Sequence, residues 1–286
     1  MKKFAVFAVL LSAALVFVPS TTAQEDSSLK GQSMNGSTGL YSIPSGHVGW
    51  SNANLGLDFG YRAVINNDEG VAHIPAVTAS LFKWVEVSTA FDFQPVIDLD
   101  KNQKNNDLLF GVKIKLPTNI NNSRNPVIAV GGNIQLINFD NKDYNYNAFQ
   151  PYVAITYMGN FFKMSAETTV VFGKTFYTGY PENNSDIDFG MGFDLILFPD
   201  VFKNVVHWVI DFANFSYSDN SWPSYLVHGT GSAWHRGILN IGFRIDMSAF
   251  PVFSKFKFII DLVFNDLFDY GSRSFTAGAV FGLPVL

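Results

Sequence analysis

Fourteen ionisable residues sit at alternating positions within apolar segments, and that placement limits the chemistry open to them. They are Asp58, Arg62, Glu86, Asp92, Lys113, Lys115, Glu167, Asp188, Asp194, Asp211, Arg244, Asp246, Lys257 and Asp261. Neighbours on either side are mostly large and apolar. On an extended backbone the charges therefore share one face and the hydrocarbon the other. Charges of both signs on one face can line an aqueous passage and select ions, or they can pair with one another and close it. Nine of the fourteen are acidic and five basic. If the face is wet, that excess implies a weak cation preference.

Nucleophilic and metal chemistry fit the sequence less well. The five histidines are His47, His73, His207, His228 and His235. His228 and His235 stand beside Ser232, Trp222, Tyr225 and Trp234, where a hydrolase would need His, Ser and an orienting acid in contact. The Tyr-Thr-His-x-Ser-Asn-Gly run of outer-membrane phospholipases is absent. The aromatic residues read as a membrane-edge girdle and the histidines as loop polars. No Cys or Glu lies between His228 and His235 to complete a metal set. The expectation is a non-enzyme without cofactor or metal.

The elements that position these charges are strands. Residues 186–198 read Asp-Ile-Asp-Phe-Gly-Met-Gly-Phe-Asp-Leu-Ile-Leu-Phe. Ile187, Phe189, Met191, Phe193, Leu195 and Leu197 make one face; Asp186, Asp188, Gly190, Gly192 and Asp194 make the other. The same period of two recurs at 54–65, 72–84, 85–96, 107–116, 126–139, 148–158, 163–173, 206–218, 236–247, 255–265 and 274–283. That predicts an all-β, single transmembrane antiparallel up-and-down β-barrel of about twelve strands, with ten or fourteen as the neighbouring counts. A secreted β-sandwich would alternate too, but with shorter strands. Connections rich in Asn, Asp, Gly and Ser alternate with short ones carrying Phe161, Phe162 and Phe202, and the polar link 117–125 breaks that rule. Inward Gly56, Gly60, Gly111, Gly190, Gly192, Gly242, Gly278 and Gly282 vacate space in the lumen. Twelve strands fall between filled and wide-bore barrels, so a narrow passive channel for small hydrophilic solutes is the favoured expectation. A closed structural or surface-interaction barrel is the alternative.

The amino terminus supplies an address. Lys2 and Lys3 precede an apolar run, 4–18, and a small-residue exit at Ala23, which describes a cleaved secretory signal over 1–23 and one barrel domain over 24–286. The chain has no cysteine, excluding a disulfide framework. Loss of Lys2 and Lys3 takes the formal charge from −5 to −7, which argues against nucleic acid as a partner. Charged residues are only 15% of the chain, and 29 Phe suit a lipid-facing band. The expected location is a cell outer membrane, with its lipid and the barrel assembly machinery as partners.

Residues 36–44, Gly-Ser-Thr-Gly-Leu-Tyr-Ser-Ile-Pro, resemble the Gly-x-x-Gly-Leu-x-x-x-Pro opening of outer-membrane barrels that include the exopolysaccharide-associated YjbH-like proteins. The Gly-rich strand at 54–61 and Trp84-Val85-Glu86-Val87 match the pieces that follow in such barrels. The resemblance covers about the first quarter of the mature chain. It implies a membrane barrel and a link to polysaccharide export. The ending Pro284-Val285-Leu286 departs from the terminal aromatic residue that assembly machineries usually see, which leaves Phe281 in that part or a lineage-specific assembly signal as the two expectations.

Overall fold

The computed structural model describes residues 31–66, 70–98, 103–117, 126–139, 146–161, 164–179, 187–215, 237–250, 253, 256–268 and 273–286. The expected signal, 1–23, and the Trp222–His235 group of loop residues lie outside them. Thirteen strands follow in chain order: β1 (Leu55–Asn66), β2 (Gly70–Leu81), β3 (Val85–Asp98), β4 (Gln103–Lys115), β5 (Val127–Phe139), β6 (Tyr146–Phe161), β7 (Met164–Gly173), β8 (Phe176–Gly179), β9 (Asp188–Ile196), β10 (Val206–Ala213), β11 (Ile238–Asp246), β12 (Lys257–Asn265) and β13 (Ser274–Pro284). Both β7 and the short β8 pair with β6, after a break at Lys174 and Thr175, so together they form one stave. Twelve antiparallel staves result. Each pairs with its chain neighbours, β1 pairs with β13, and the cylinder closes.

The alternation that predicts the strands also sorts their faces. Phe59, Tyr61, Phe110, Val112, Ile134, Phe149, Phe243 and Phe264 point outward and are exposed, while Asp58, Arg62, Lys113, Asn133, Gln150, Arg244 and Asp261 point inward and are buried. An exterior of this kind is solvated by hydrocarbon and not by water. Outward rings meet across strands, as Phe264 with Phe275 at 5.2 Å and Phe193 edge-on to Trp208 at 6.2 Å, adding aromatic contact to the backbone ladder.

Details differ from the sequence reading at strand ends. The β2–β3 turn is Phe82-Lys83-Trp84, with Phe82 and Lys83 at φ 52° and 68°, so β2 stops three residues earlier than expected. Strand β9 is nine residues long, shorter than the thirteen-residue alternating run that suggested it. Pro199 opens a one-turn helix, α1 (Pro199–Phe202), which ends that strand's extension. The long 117–125 link does not disturb the count: β4 and β5 pair directly over eleven residues.

Candidate functional site

The interior of the cylinder is where the sequence places its chemistry, and it is already occupied. Residues 31–48 are buried, nearly all of them completely. They fold into two small loops held by their own backbone. Ser33 N donates to Ser37 O at 2.7 Å, Met34 N to Tyr41 O at 2.8 Å, Leu40 N to Ile43 O at 3.0 Å and Ser45 N to Thr38 O at 2.9 Å. Gly36 makes the first loop possible. Its φ of +84° suits glycine alone, and a β-carbon there would lie 3.0 Å from the Thr89 carbonyl. This segment, which contains the Gly-x-x-Gly-Leu run, is a plug inside the barrel.

Four of the eight inward glycines, Gly56, Gly60, Gly190 and Gly192, make room for residues 31–50, and Gly242 and Gly278 face other wall groups, correcting the expectation that they leave space for water. A β-carbon at Gly60 would lie 2.0 Å from Gln32 Oε1, at Gly190 2.5 Å from Ile43 Cγ2, at Gly192 2.7 Å from Leu40 Cδ1, and at Gly56 2.2 Å from the Trp50 ring. Met34, Leu40, Tyr41 and Ile43 join an apolar cluster with Val64, Ile74, Ala76, Leu109, Val171, Val209 and Val263 from the inner wall. A watery lumen would have no use for those wall residues. They exist to bury the plug.

Where the wall is polar it binds plug backbone. Glu86 Oε1 accepts from the Ser37 hydroxyl (2.7 Å) and Thr38 N (2.8 Å), and its Oε2 accepts from Gly49 N (2.9 Å). Lys113 lies 3.0 Å from Glu86 and donates to Thr38 O at 2.9 Å. Asp58 accepts from Trp50 Nε1 at 2.8 Å and pairs with Lys257 at 2.7 Å, while Lys257 also donates to Gly49 O at 3.1 Å. Asp211 accepts from Ser42 N at 2.7 Å and from its hydroxyl at 2.8 Å; Asn240 supports both residues. Arg244 bridges Asp261 (2.8 Å) and Asp194 (3.3 Å) and reaches Gly39 O at 3.1 Å. Arg62 donates to Gln32 O.

The remaining sequence candidates divide in two. Asp92, Glu167, Asp188 and Asp246 face inward and are buried. Asp188 accepts from Gln150 at 2.7 Å and from Thr175, Glu167 lies 3.6 Å from His47, and Asp246 caps the turn after β11 through Ser248 N at 2.9 Å. Asp92 has no hydrogen bond or ion pair among the described residues. Lys115 is half-buried at the rim, over the Trp84 ring at 5.7 Å. The alternation thus places all fourteen on the inner face or its rim, but the buried ones pack against protein and not against a water column. Several contributors were not among the fourteen: the uncharged Thr78, Asn133, Thr156 and Thr276, which bond to plug residues, and His207, 2.5 Å from Asp194. Their signal was present as inward polar residues on the same alternation. No group of three or more His, Cys, Asp or Glu able to hold a metal occurs among the described residues.

Fold and interior together define a class: a closed twelve-stave antiparallel barrel with an apolar exterior and an internal plug. No protein-family model matches the chain, and no curated protein matches it. Solved structures do resemble it. A KdgM porin aligns with a TM-score of 0.46 at 10% identity, over 80% of this chain and 99% of that one. The Acinetobacter baumannii outer-membrane protein Omp33 aligns at 0.42 and 11%, over 82% and 98%. LpxR from Salmonella typhimurium aligns at 0.43 and 8%, over 80% and 100%. At these identities and scores the likenesses transfer neither activity nor residue roles, and the architecture rests on the strand pairing itself.

Proposed function

We propose that this protein is an exported outer-membrane barrel, its signal removed after Ala23, that passes small hydrophilic solutes through a lumen closed at rest by residues 31–50. The observation that carries the reading is the chemistry of the plug's seat. At its polar side the plug is held by hydrogen bonds between its backbone or hydroxyls and wall side chains, which water or a hydrophilic solute can replace one for one. The wall keeps an acidic excess. Glu86, Asp58, Asp194 and Asp261 have cationic partners, whereas Asp92, Asp188 and Asp211 have no ion pair within 4 Å among the described residues. Weak cation preference follows for the opened state. No catalytic role is assigned to any of these groups.

Planar-bilayer recording tests this directly. The full-length protein is expected to be silent for most of the record, with brief discrete steps. A variant with Leu40→Ser and Ile43→Ser, which removes the plug's apolar anchors, is expected to conduct steadily, with a zero-current potential of cation sign in a KCl gradient. An anion sign overturns the selectivity. Persistent silence of both proteins overturns the channel. It would favour a second reading, a non-conducting structural or surface-interaction barrel, which the filled lumen and the YjbH-like resemblance of 36–44 support. A link to polysaccharide export belongs to that reading.

A further inference from the structure

Five buried wall residues on five different strands converge on one short stretch of plug backbone. Ser80 stands opposite Glu86, Glu86 opposite Lys113, and Asp58 and Lys257 both stand opposite Gly282, so register alone gathers them. Two carboxylates and two ammonium groups leave no net formal charge. What they hold is peptide: the amides of Thr38 and Gly49 donate to Glu86, and the carbonyls of the same two residues accept from Lys113 and Lys257. Ser80 Oγ is buried without a hydrogen bond and lies 3.0 Å from the position of a β-carbon on Gly49, as does Thr38 Oγ1, with Asp58 Oδ2 at 2.7 Å. The site thus offers acceptors beside donors, with a spare wall hydroxyl aimed into it.

We propose that Asp58, Ser80, Glu86, Lys113 and Lys257 form a solute site, and that Thr38 and Gly49 occupy it as a built-in ligand. Its chemistry selects uncharged molecules carrying a donor and an acceptor on neighbouring atoms. A net charge on the solute would find one member of each ion pair favourable and the other repulsive. Peptide amides are the first choice, because amides fill the site now. Adjacent hydroxyls of a sugar share the same chemistry. The proposal deepens the channel reading: a solute that reaches this depth competes with the plug and releases it.

The chain has no cysteine, so Ser42→Cys in the full-length protein introduces a unique thiol. Ser42 is buried on the plug and touches Asp211, outside the five-residue site. Its rate of labelling by a water-soluble maleimide reports plug release without needing any current. Saturating N-acetyl-Ser-Thr-amide is expected to raise that rate roughly tenfold, about 1.4 kcal/mol of competition. In a Glu86→Gln, Lys113→Met background the rate is expected to be high already and indifferent to the dipeptide. Should that background lose heat-modifiable gel mobility, Lys257→Gln, which removes the Gly49 carbonyl contact, one ion pair and the cation over the Trp50 ring, serves the same comparison. No response to the dipeptide in the parent, or an undiminished response in both wall variants, overturns the proposal. Acceleration by trehalose alone overturns the amide assignment. A protein silent in bilayers but responsive in labelling keeps the site and loses only the channel.

Discussion

The two ends of the lumen hold the same plug by different physics. Toward the end where β1 begins, the wall is ionic: Asp58, Glu86, Lys113, Asp194, Arg244 and Lys257 pair among themselves and pin the plug at Thr38, Gly39, Gly49 and Trp50. Toward the end where β1 finishes, Val64, Ala72, Ile74, Val171, Ala213 and Val263 bury Met34, Leu40, Tyr41 and Ile43. Hydrocarbon contact is non-directional and supplies free energy in proportion to area. Hydrogen bonds to buried ions contribute little net stability but are costly to leave unmade. The apolar end therefore supplies most of the drive for insertion, and the ionic end fixes its register.

Removing one member of an ionic pair should have the largest effect. Glu86→Ala leaves Lys113 buried without its carboxylate and strips the Ser37, Thr38 and Gly49 donors of their acceptor. A loss of about 3–5 kcal/mol is expected, read as a lower temperature for the heat-modifiable gel shift. Double replacement of Glu86 and Lys113 by Leu and Met should recover part of it, since the cost lies in the orphaned charge. If the double variant is worse than the single, the ionic end is contributing net stability and the division of labour is wrong.

The apolar end comes next. Leu40 is completely buried against the wall at Gly192, and Leu40→Ala should cost about 3 kcal/mol through lost transfer and the cavity left behind. Unlike the Glu86 change, it should loosen the plug while leaving the barrel's thermal transition in place, because every wall residue keeps its strand partners. Protease sensitivity confined to the amino-terminal segment is the expected readout. A fall in barrel melting equal to that of Glu86→Ala would mean that plug and wall unfold as one.

A wall glycine offers a change of intermediate size from the other side of the same contact. At Gly192 a β-carbon would meet the Ile210 carbonyl at 2.3 Å, Asp211 Cβ at 2.6 Å and Leu40 Cδ1 at 2.7 Å. Gly192→Ala should cost about 1–3 kcal/mol by overpacking. Combined with Leu40→Ala it should cost less than the two separately, because the shortened side chain relieves part of the clash. Strict additivity in thermal scans would show that the strain is all against the wall, at the Ile210 carbonyl and Asp211 Cβ, and that plug packing does not matter there.

This contact also shows where the sequence was legible. A two-residue period is imposed by the backbone, so the twelve staves, their faces and the inward placement of the fourteen charges could be read from single residues such as Asp194 beside Phe193. The plug could not be read that way. Residues 31–50 have no period, because many of their partners are wall residues from distant strands, and a Ser- and Gly-rich stretch reads as a loop. What could have betrayed it is a contradiction on the inner face. Val64, Ile74, Val209 and Val263 are apolar where a water-filled passage asks for polar groups, and Gly190 and Gly192 are empty next to them. Apolar residues and gaps together ask for an apolar occupant.

The smallest effect is expected at the rim, where the ionic end meets solvent. Lys115 is only half-buried and rests 5.7 Å over the Trp84 ring. Its ammonium makes no hydrogen bond or ion pair with the plug among the described residues, and water replaces what Trp84 supplies. Lys115→Met keeps most of the packing stem and removes the charge, so the loss should stay below about 1 kcal/mol. The same removal of one positive charge at Lys113, deep against Thr38, should cost several times more, because no water reaches the carboxylate left behind. Thermal scans of Lys113→Met and Lys115→Met therefore set buried against exposed charge on one strand, two residues apart. Equal losses would mean that solvent penetrates to Glu86, and the ionic end would then be a wet vestibule with the plug held from the apolar end alone.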